Sequence, residues 1–418
     1  MKGKLKILLF GVFFILILFD FNFNKDNSEL DIKVDLLKGL TPVIYQNNKW
    51  KIIDKDNKKW YNYNEQKWAN AVLLKKKKKV GDYLELDKDV YAMFVYIPRY
   101  SYTIGCNDDK CLGYQVDFSS NLSYETPGAI DIKFVNKDVK EKGKVSYTYK
   151  NKRIPKNWLT HPAFTIGDDE LNGIWVGKFE LSGNINNPLI LPNKKALVNE
   201  NLGSLLSASL IYTNDKKYEF EGVSRIIKNS EWSAVNYLTQ SIYGKYGNKT
   251  FKFEKKEVFK NNSNSFYTGR SAGSIYEKFN SKGTYKYDKD YYGTGASTTG
   301  NIYGIYDMSG GAWEYVMANF AYSITGNEGI KEEYLNKYEK YFDIYLEDIF
   351  DSDKYIGHST HEIYNWYGDY AYGPNSDYPW LLRGGRNYFS SNAGIFYALI
   401  SDGSGYSNYS TRVVLTKN

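Results

Sequence analysis

Residues 301–317 read NIYGIYDMSGGAWEYVM, and residues 379–415 read PWLLRGGRNYFSSNAGIFYALISDGSGYSNYSTRVVL. Short aromatic and β-branched runs alternate here with glycine pairs, as in β structure whose turns are built on Gly, Asn and Asp. Asp307 and Glu314 lie seven residues apart with Gly310, Gly311 and Ala312 between them. Two carboxylates so spaced can wrap a hard cation, with side-chain oxygens from the ends and backbone carbonyls from the middle. The alternative is an unmetallated turn in which Asp307 caps the backbone and Glu314 pairs with an arginine.

The whole chain agrees with a large folded protein. It has 418 residues, 42% of them hydrophobic, with 41 Tyr, 22 Phe and 35 Gly but 9 Pro. That composition excludes a disordered chain. Net charge is +7, and Lys75 to Lys79 form an unbroken lysine run that reads as a solvated turn. No zinc-finger spacing, RNP signature or helix-turn-helix pattern is present, so no nucleic-acid partner is expected. Residues 1–23 pair a lysine-rich start with an apolar run from Ile7 to Phe19. They read as an uncleaved signal anchor, with a cleaved signal peptide as the alternative, so the body is expected at the cell surface or secreted. In an exported chain Cys106 and Cys111 read as one disulfide closing a small loop; two reduced thiols are the other reading.

Residues 24–40 read as a polar stem, and 41–89 as a small β-meander in which Trp50, Trp60 and Trp68 fill a core. A larger domain is expected from 90 to 418. Its blocks run in order: VYAMFVYIPRYSYTIG, then IWVGKFELSG, then SRIIKNSEWSAVNYL, where Trp232, Val235, Tyr237 and Leu238 have helical spacing. The segments 301–317 and 379–415 close the series.

Together these blocks resemble the formylglycine-generating enzyme (sulfatase-modifying factor) family. The match rests on Ile97, Pro98 and Gly105; on Glu180, Leu181 and Ser182; on Arg225, Glu231, Trp232 and Ala234; on the DMSGGAWE segment; and on Arg383-Gly384-Gly385. The resemblance implies a loop-rich α+β fold of the C-type-lectin-like kind. It also implies a structural calcium ion at Asp307, Gly310, Ala312 and Glu314. The enzymes of that family oxidise a substrate cysteine with two copper-binding cysteines, whose places here hold Phe389 and Gly394. Neither can supply a thiolate to Cu(I). His161, His358 and His361 do not form the three-histidine iron site of related sulfoxide synthases. No copper or iron is expected, and the chain reads as a non-catalytic member; an enzyme of the sulfatase-modifying type and a passive structural surface protein are the alternatives.

Between framework-like residues, positions 386–409 hold Asn, Ser, Tyr, Phe, Ala, Leu, Ile, Asp and Gly in no periodic order. This resembles the variable region of C-type-lectin-like proteins diversified by retroelements. Phe389, Ser391, Tyr397, Ile400, Tyr406 and Tyr409 are therefore expected in C-terminal loops that bind an extracellular protein or glycan, the aromatics giving rigid contact area and the small residues adaptable hydrogen bonds. The other reading is a loop-rich subdomain of ordinary surface composition. Arg383 and Arg412 are expected to be framework residues that satisfy buried carbonyls.

Overall fold

The computed structural model describes residues 32–104, 130–143, 148–149, 152–153, 158–252, 256–275, 284–324, 330–349, 353–363, 366–387 and 393–417. The expected anchor at 1–23, the Cys106–Cys111 pair, Phe389 and Ser391 lie outside them. Among the described residues no helix is long and apolar enough to cross a membrane.

The fold is mixed α+β, rich in sheet and poor in helix. Its main strands are β1 (Leu40–Gln46), β2 (Lys49–Ile52), β3 (Asn70–Leu74), β4 (Val90–Pro98), β5 (Gly173–Gly177), β6 (Val223–Ile226), β7 (Trp313–Phe320), β8 (Asp343–Tyr345), β9 (Trp380–Gly385), β10 (Ala393–Ser401), β11 (Tyr409–Thr411) and β12 (Val413–Thr416). One sheet is antiparallel throughout, in the order β6-β12-β5-β4-β3-β1-β2. A second runs β8-β7-β9-β10, with β11 paired to β7. Tyr100–Ile104, Ile130–Phe134 and Leu159–Thr160 form a smaller third sheet. β4 is apolar almost without interruption, because both of its faces are covered.

The two longest helices among the described residues lie against these sheets. α1 (Leu202–Asn214) starts at Asn201, whose side chain accepts the Ser204 N–H at 2.8 Å. α2 (Asn229–Thr239) is buried along its whole length. Glu231 on its first turn accepts the Lys228 N–H at 2.8 Å and grips Arg225 of β6 through both oxygens, at 2.5 and 2.7 Å. The Arg225, Glu231 and Trp232 block thus joins a helix start to a sheet edge, which is why the sequence shows it as one unit.

The expected boundary at residue 89 is corrected by the structure. Residues 32–418 form one compact unit. The 41–89 segment donates β1, β2 and β3 to the main sheet, and β3 pairs with β4 from Asn70↔Val95 to Leu74↔Val90. Trp50, Trp60 and Trp68 are all buried, as expected, but in a core shared with the rest. Trp60 stacks on Trp175 of β5 with ring centres 6.3 Å apart, and Trp68 donates to the Tyr243 carbonyl at 2.8 Å. The described part of the expected stem is packed too: the Asp35 carbonyl accepts the Trp175 indole N–H at 2.8 Å, and Leu37 is buried. A three-strand meander alone has too little apolar surface to close a core; the seven-stranded sheet supplies it.

Trp60→Ala should therefore destabilise the whole unit by about 3–5 kcal/mol, the usual cost of emptying a buried tryptophan site. Denaturant unfolding followed by far-ultraviolet circular dichroism should show one transition at a lower midpoint. Two separable transitions, only one of them shifted, would restore an independent module.

Candidate functional site

The chain leaves the second sheet at β11 and enters the first at β12, and Arg412 is the residue between them. Its Nε and Nη2 donate to both Glu314 oxygens, at 2.9 and 2.5 Å, and its Nη1 donates to the Gly177 carbonyl at 2.8 Å. Arg412 and Glu314 are both fully buried. Arg412 thus behaves as the framework residue expected. Arg383 is buried in β9 as framework too, but among the described residues none of its three guanidinium nitrogens has a hydrogen-bond partner. Burial pushes its pKa down to about 10.

The turn before β7 is tight. Gly310 and Gly311 both have left-handed backbone, at φ 75° and 77°, and a Cβ on Gly311 would stand 2.3 Å from Glu180 Oε1. Only glycine tolerates that conformation and that approach together. The two carboxylates expected to hold calcium are engaged otherwise. Both Glu314 oxygens accept from Arg412, and both Asp307 oxygens accept the Gly269 N–H, at 2.8 and 3.0 Å. Asn261 Nδ2 adds a 2.8 Å bond to Asp307 Oδ1, and the Ala312 N–H donates to Glu180 Oε1 at 2.9 Å. Among the described residues no three His, Cys, Asp or Glu side chains are grouped to hold a metal ion. The arrangement is an ion-pair core and does not fit an open calcium cage. It is, however, rich in acid: Glu180, Asp307 and Glu314 share one arginine. Burial raises Asp307 to about 6 and Glu314 to about 7, and lifts Glu180 well above the usual carboxylate range, helped by its two acidic neighbours. Glu180 Oε2 has no hydrogen-bond partner. Glu314 is clamped by a bidentate guanidinium, so Glu180 is the carboxyl of the three with the fewest hydrogen-bond partners among the described residues.

Position 394, where the resemblance puts a thiol, is closed. A Cβ on Gly394 would stand 1.9 Å from Asp369 Oδ1. Asp369 in turn accepts the Phe396 N–H at 3.0 Å, and burial raises its carboxyl to about 7. Two of the three histidines are engaged in the fold: His161 Nδ1 accepts the Ala163 N–H at 3.2 Å, and His358 Nδ1 shares a 2.8 Å hydrogen bond with the Tyr345 hydroxyl.

Tyr397, Tyr406 and Tyr409 come together, but not as loops alone. Residues 393–401 are the strand β10, in register with β9 from Arg383↔Ala398 to Trp380↔Ser401. The expectation of a continuous loop there is corrected. Ala393 to Ala398 are buried on both faces, so the run carries no two-residue period for a sequence reading to find. Tyr397 packs against Trp313, ring centres 5.0 Å apart, and Trp313 lies in register with Tyr409 across β7 and β11. Tyr409 meets Tyr406 at 4.8 Å and Tyr315 at 5.6 Å. Ile400 sits half-buried opposite Leu381.

The sequence reading missed Tyr370 and Tyr372. Ala371 bridges to Ala398, and the Tyr372 and Ala398 N–H groups donate to the Ala398 and Tyr370 carbonyls at 3.1 and 3.0 Å. This short edge brings Tyr370 to 6.4 Å from Tyr397, and the Tyr370 and Tyr372 hydroxyls share a 2.8 Å hydrogen bond. The available signal was the tyrosine alternation in DYAYGP before a glycine-proline stop. Tyr370, Tyr372 and Tyr406 are 50%, 44% and 49% exposed, which makes them the accessible part of a ring cluster whose inner members, Trp313 and Tyr397, are buried. Burial raises the Tyr397 hydroxyl to about 12, so it stays a donor at any physiological pH.

No protein-family model matches the chain, and no curated protein does. Among solved structures it is similar to Treponema denticola variable protein 1, with 12% sequence identity, a TM-score of 0.29, and coverage of 77% of this chain and 95% of that one.

The acid-rich core generates a pH prediction. Its carboxyls keep protons in the folded chain that the unfolded chain gives up near pH 4, so folding takes up protons and stability falls as pH rises from about 4.5 through about 7. Glu180→Gln keeps an acceptor for Ala312 and removes one acid. Its stability relative to the unaltered protein should rise across that window, read by denaturant midpoints at several pH values. Parallel midpoints would show that Glu180 carries no proton. The same series with calcium and with a chelator should superimpose; a calcium-dependent rise at the alkaline end would mean that a cation takes the proton's place.

Proposed function

We propose that this protein is a non-enzymatic, surface-displayed binder that engages an extracellular protein or glycan through the aromatic face of Tyr370, Tyr372, Tyr406 and Tyr409, with Tyr397 buried beneath them. The carrying observation is the ring cluster itself. Half-exposed tyrosines stand on Trp313, Tyr397 and Tyr409, which the ladders of β7, β10 and β11 hold, and Tyr370 and Tyr372 are themselves tied to β10 by the Ala371–Ala398 bridge. Tyrosines so held lose little conformational entropy on contact and present both a flat apolar surface and a hydroxyl. Arg386 and Asp402 act electrostatically on Tyr409 and supply opposite charges at the rim.

In this reading the large domain is a C-type-lectin-like relative of the formylglycine-generating enzymes that has become a binding scaffold. Three things support it: the family-ordered blocks, the Arg412–Glu314 clamp built from two of those blocks, and the acid that fills the space behind position 394. The N-terminal segment would tether the domain to the membrane or direct its secretion.

Tyr370→Ser with Tyr406→Ser tests the proposal. Both side chains are about half exposed, so the fold should lose no more than about 1 kcal/mol by denaturant unfolding. Binding should fall at least about thirty-fold, the loss of one interface hot spot. The readout is a screen of glycan and extracellular-protein arrays with the unaltered chain, followed by the double variant on whatever binds. Equal binding by the two proteins would move the site elsewhere. Conversion of Cys to formylglycine in a C-x-P-x-R peptide by the copper-loaded protein would overturn the non-enzymatic reading.

A further inference from the structure

A second concave site lies among β1, the 58–67 segment and Tyr303, none of which belongs to the aromatic face. It is a cleft of about 340 Å³ whose lining includes Tyr45, Tyr61, Tyr303, Lys58, Lys59 and Lys67, with Glu65 the one carboxylate among the lining residues. That volume is at the small end of ligand sites, the scale of one or two sugar rings.

The rings are fixed before any ligand arrives. Trp50 packs edge-on against both Tyr45 and Tyr303, at 5.3 and 6.0 Å, the Tyr303 hydroxyl donates to the Tyr45 carbonyl at 3.2 Å, and the Tyr61 hydroxyl donates to the Ile32 carbonyl at 2.6 Å. Lys67 is fixed as well: its ammonium lies 5.0 Å over the Tyr303 ring and donates to the Lys59 carbonyl. Lys58 and Lys59 are exposed, and neither they nor Lys67 has an ion-pair partner among the described residues. Three lysines against one carboxylate make the cleft cationic, in a chain that is itself basic at +7. Flat aromatic walls suit the C–H face of a sugar, and clustered ammonium groups suit an anion.

We propose that this cleft binds an acidic sugar residue of an anionic glycan, its ring against the tyrosines and its carboxylate or sulfate between the lysines. The site is separate from the aromatic face, so the protein has two ligand surfaces of different chemistry.

Calorimetric titration of the full-length protein with glucuronate, glucose 6-sulfate and glucose tests this. One or both acidic sugars should bind, and the one that binds identifies the anionic group. Glucose should bind at least tenfold more weakly, and acetate and sulfate alone should bind no better than glucose. Lys58→Gln with Lys59→Gln should weaken the acidic sugar at least tenfold while the melting temperature holds, and so should 0.5 M salt, about where charge attraction is screened within a few ångströms. Tyr45→Leu should weaken the sugar without altering the response to free sulfate. Tyr370→Ser with Tyr406→Ser should leave the titration unchanged, which separates this site from the aromatic face. Equal binding of glucose and the acids, binding of the bare anions as tight as that of the sugars, no binding of either acid, or indifference to the lysine pair would each overturn the proposal.

Discussion

One guanidinium holds the two sheets in register. Arg412 sits where the chain steps from β11 to β12, and it grips Glu314 of the second sheet and the Gly177 carbonyl of the first. A buried arginine needs a full set of acceptors, and here they come from both sides of the seam. The turn at Gly310 and Gly311 delivers Glu314 to that seam. β11 and β12 follow from the position of Arg412, and Trp313 and Tyr409, which frame the aromatic face, are near neighbours in sequence of Glu314 and Arg412. The geometry of the aromatic face is therefore set by a charge pair buried beneath it.

How much of this was legible follows from which contacts are local. Arg225, Glu231 and Trp232 lie within eight residues and build one helix start, so their block announced α2. Glu314 and Arg412 were each marked, but their pairing spans 98 residues and became visible only in the fold. Tyr370 and Tyr372 belong to the face through a main-chain bridge to Ala398, which leaves no trace in composition. β10 was read as loop because burial on both faces erases alternation. The division at residue 89 failed for a related reason. The buried Lys178 ammonium donates to the Asn70 side chain and to the Ile302 and Gly304 carbonyls, so the early segment is bound into the middle of the chain by a group that no pattern in either segment reveals.

The interior carries more buried charge than its ion pairs neutralise. Glu180 and Asp307 crowd around Arg412 beside its partner Glu314, and Arg383 is buried without an acceptor. Such groups cost stability and are retained where the packing around them is well determined. They also make the core sensitive to proton activity.

The acid behind Gly394 has a consequence for how this chain could change. A side chain at 394 would put its first carbon against the Asp369 carboxyl, which would have to move. Removing Asp369 alone strands the Phe396 N–H inside the protein. Substitutions at 394 and 369 are therefore coupled, and their effects will not simply add. The centre of the scaffold therefore changes most readily by pairs of substitutions, whereas a half-exposed tyrosine can change alone.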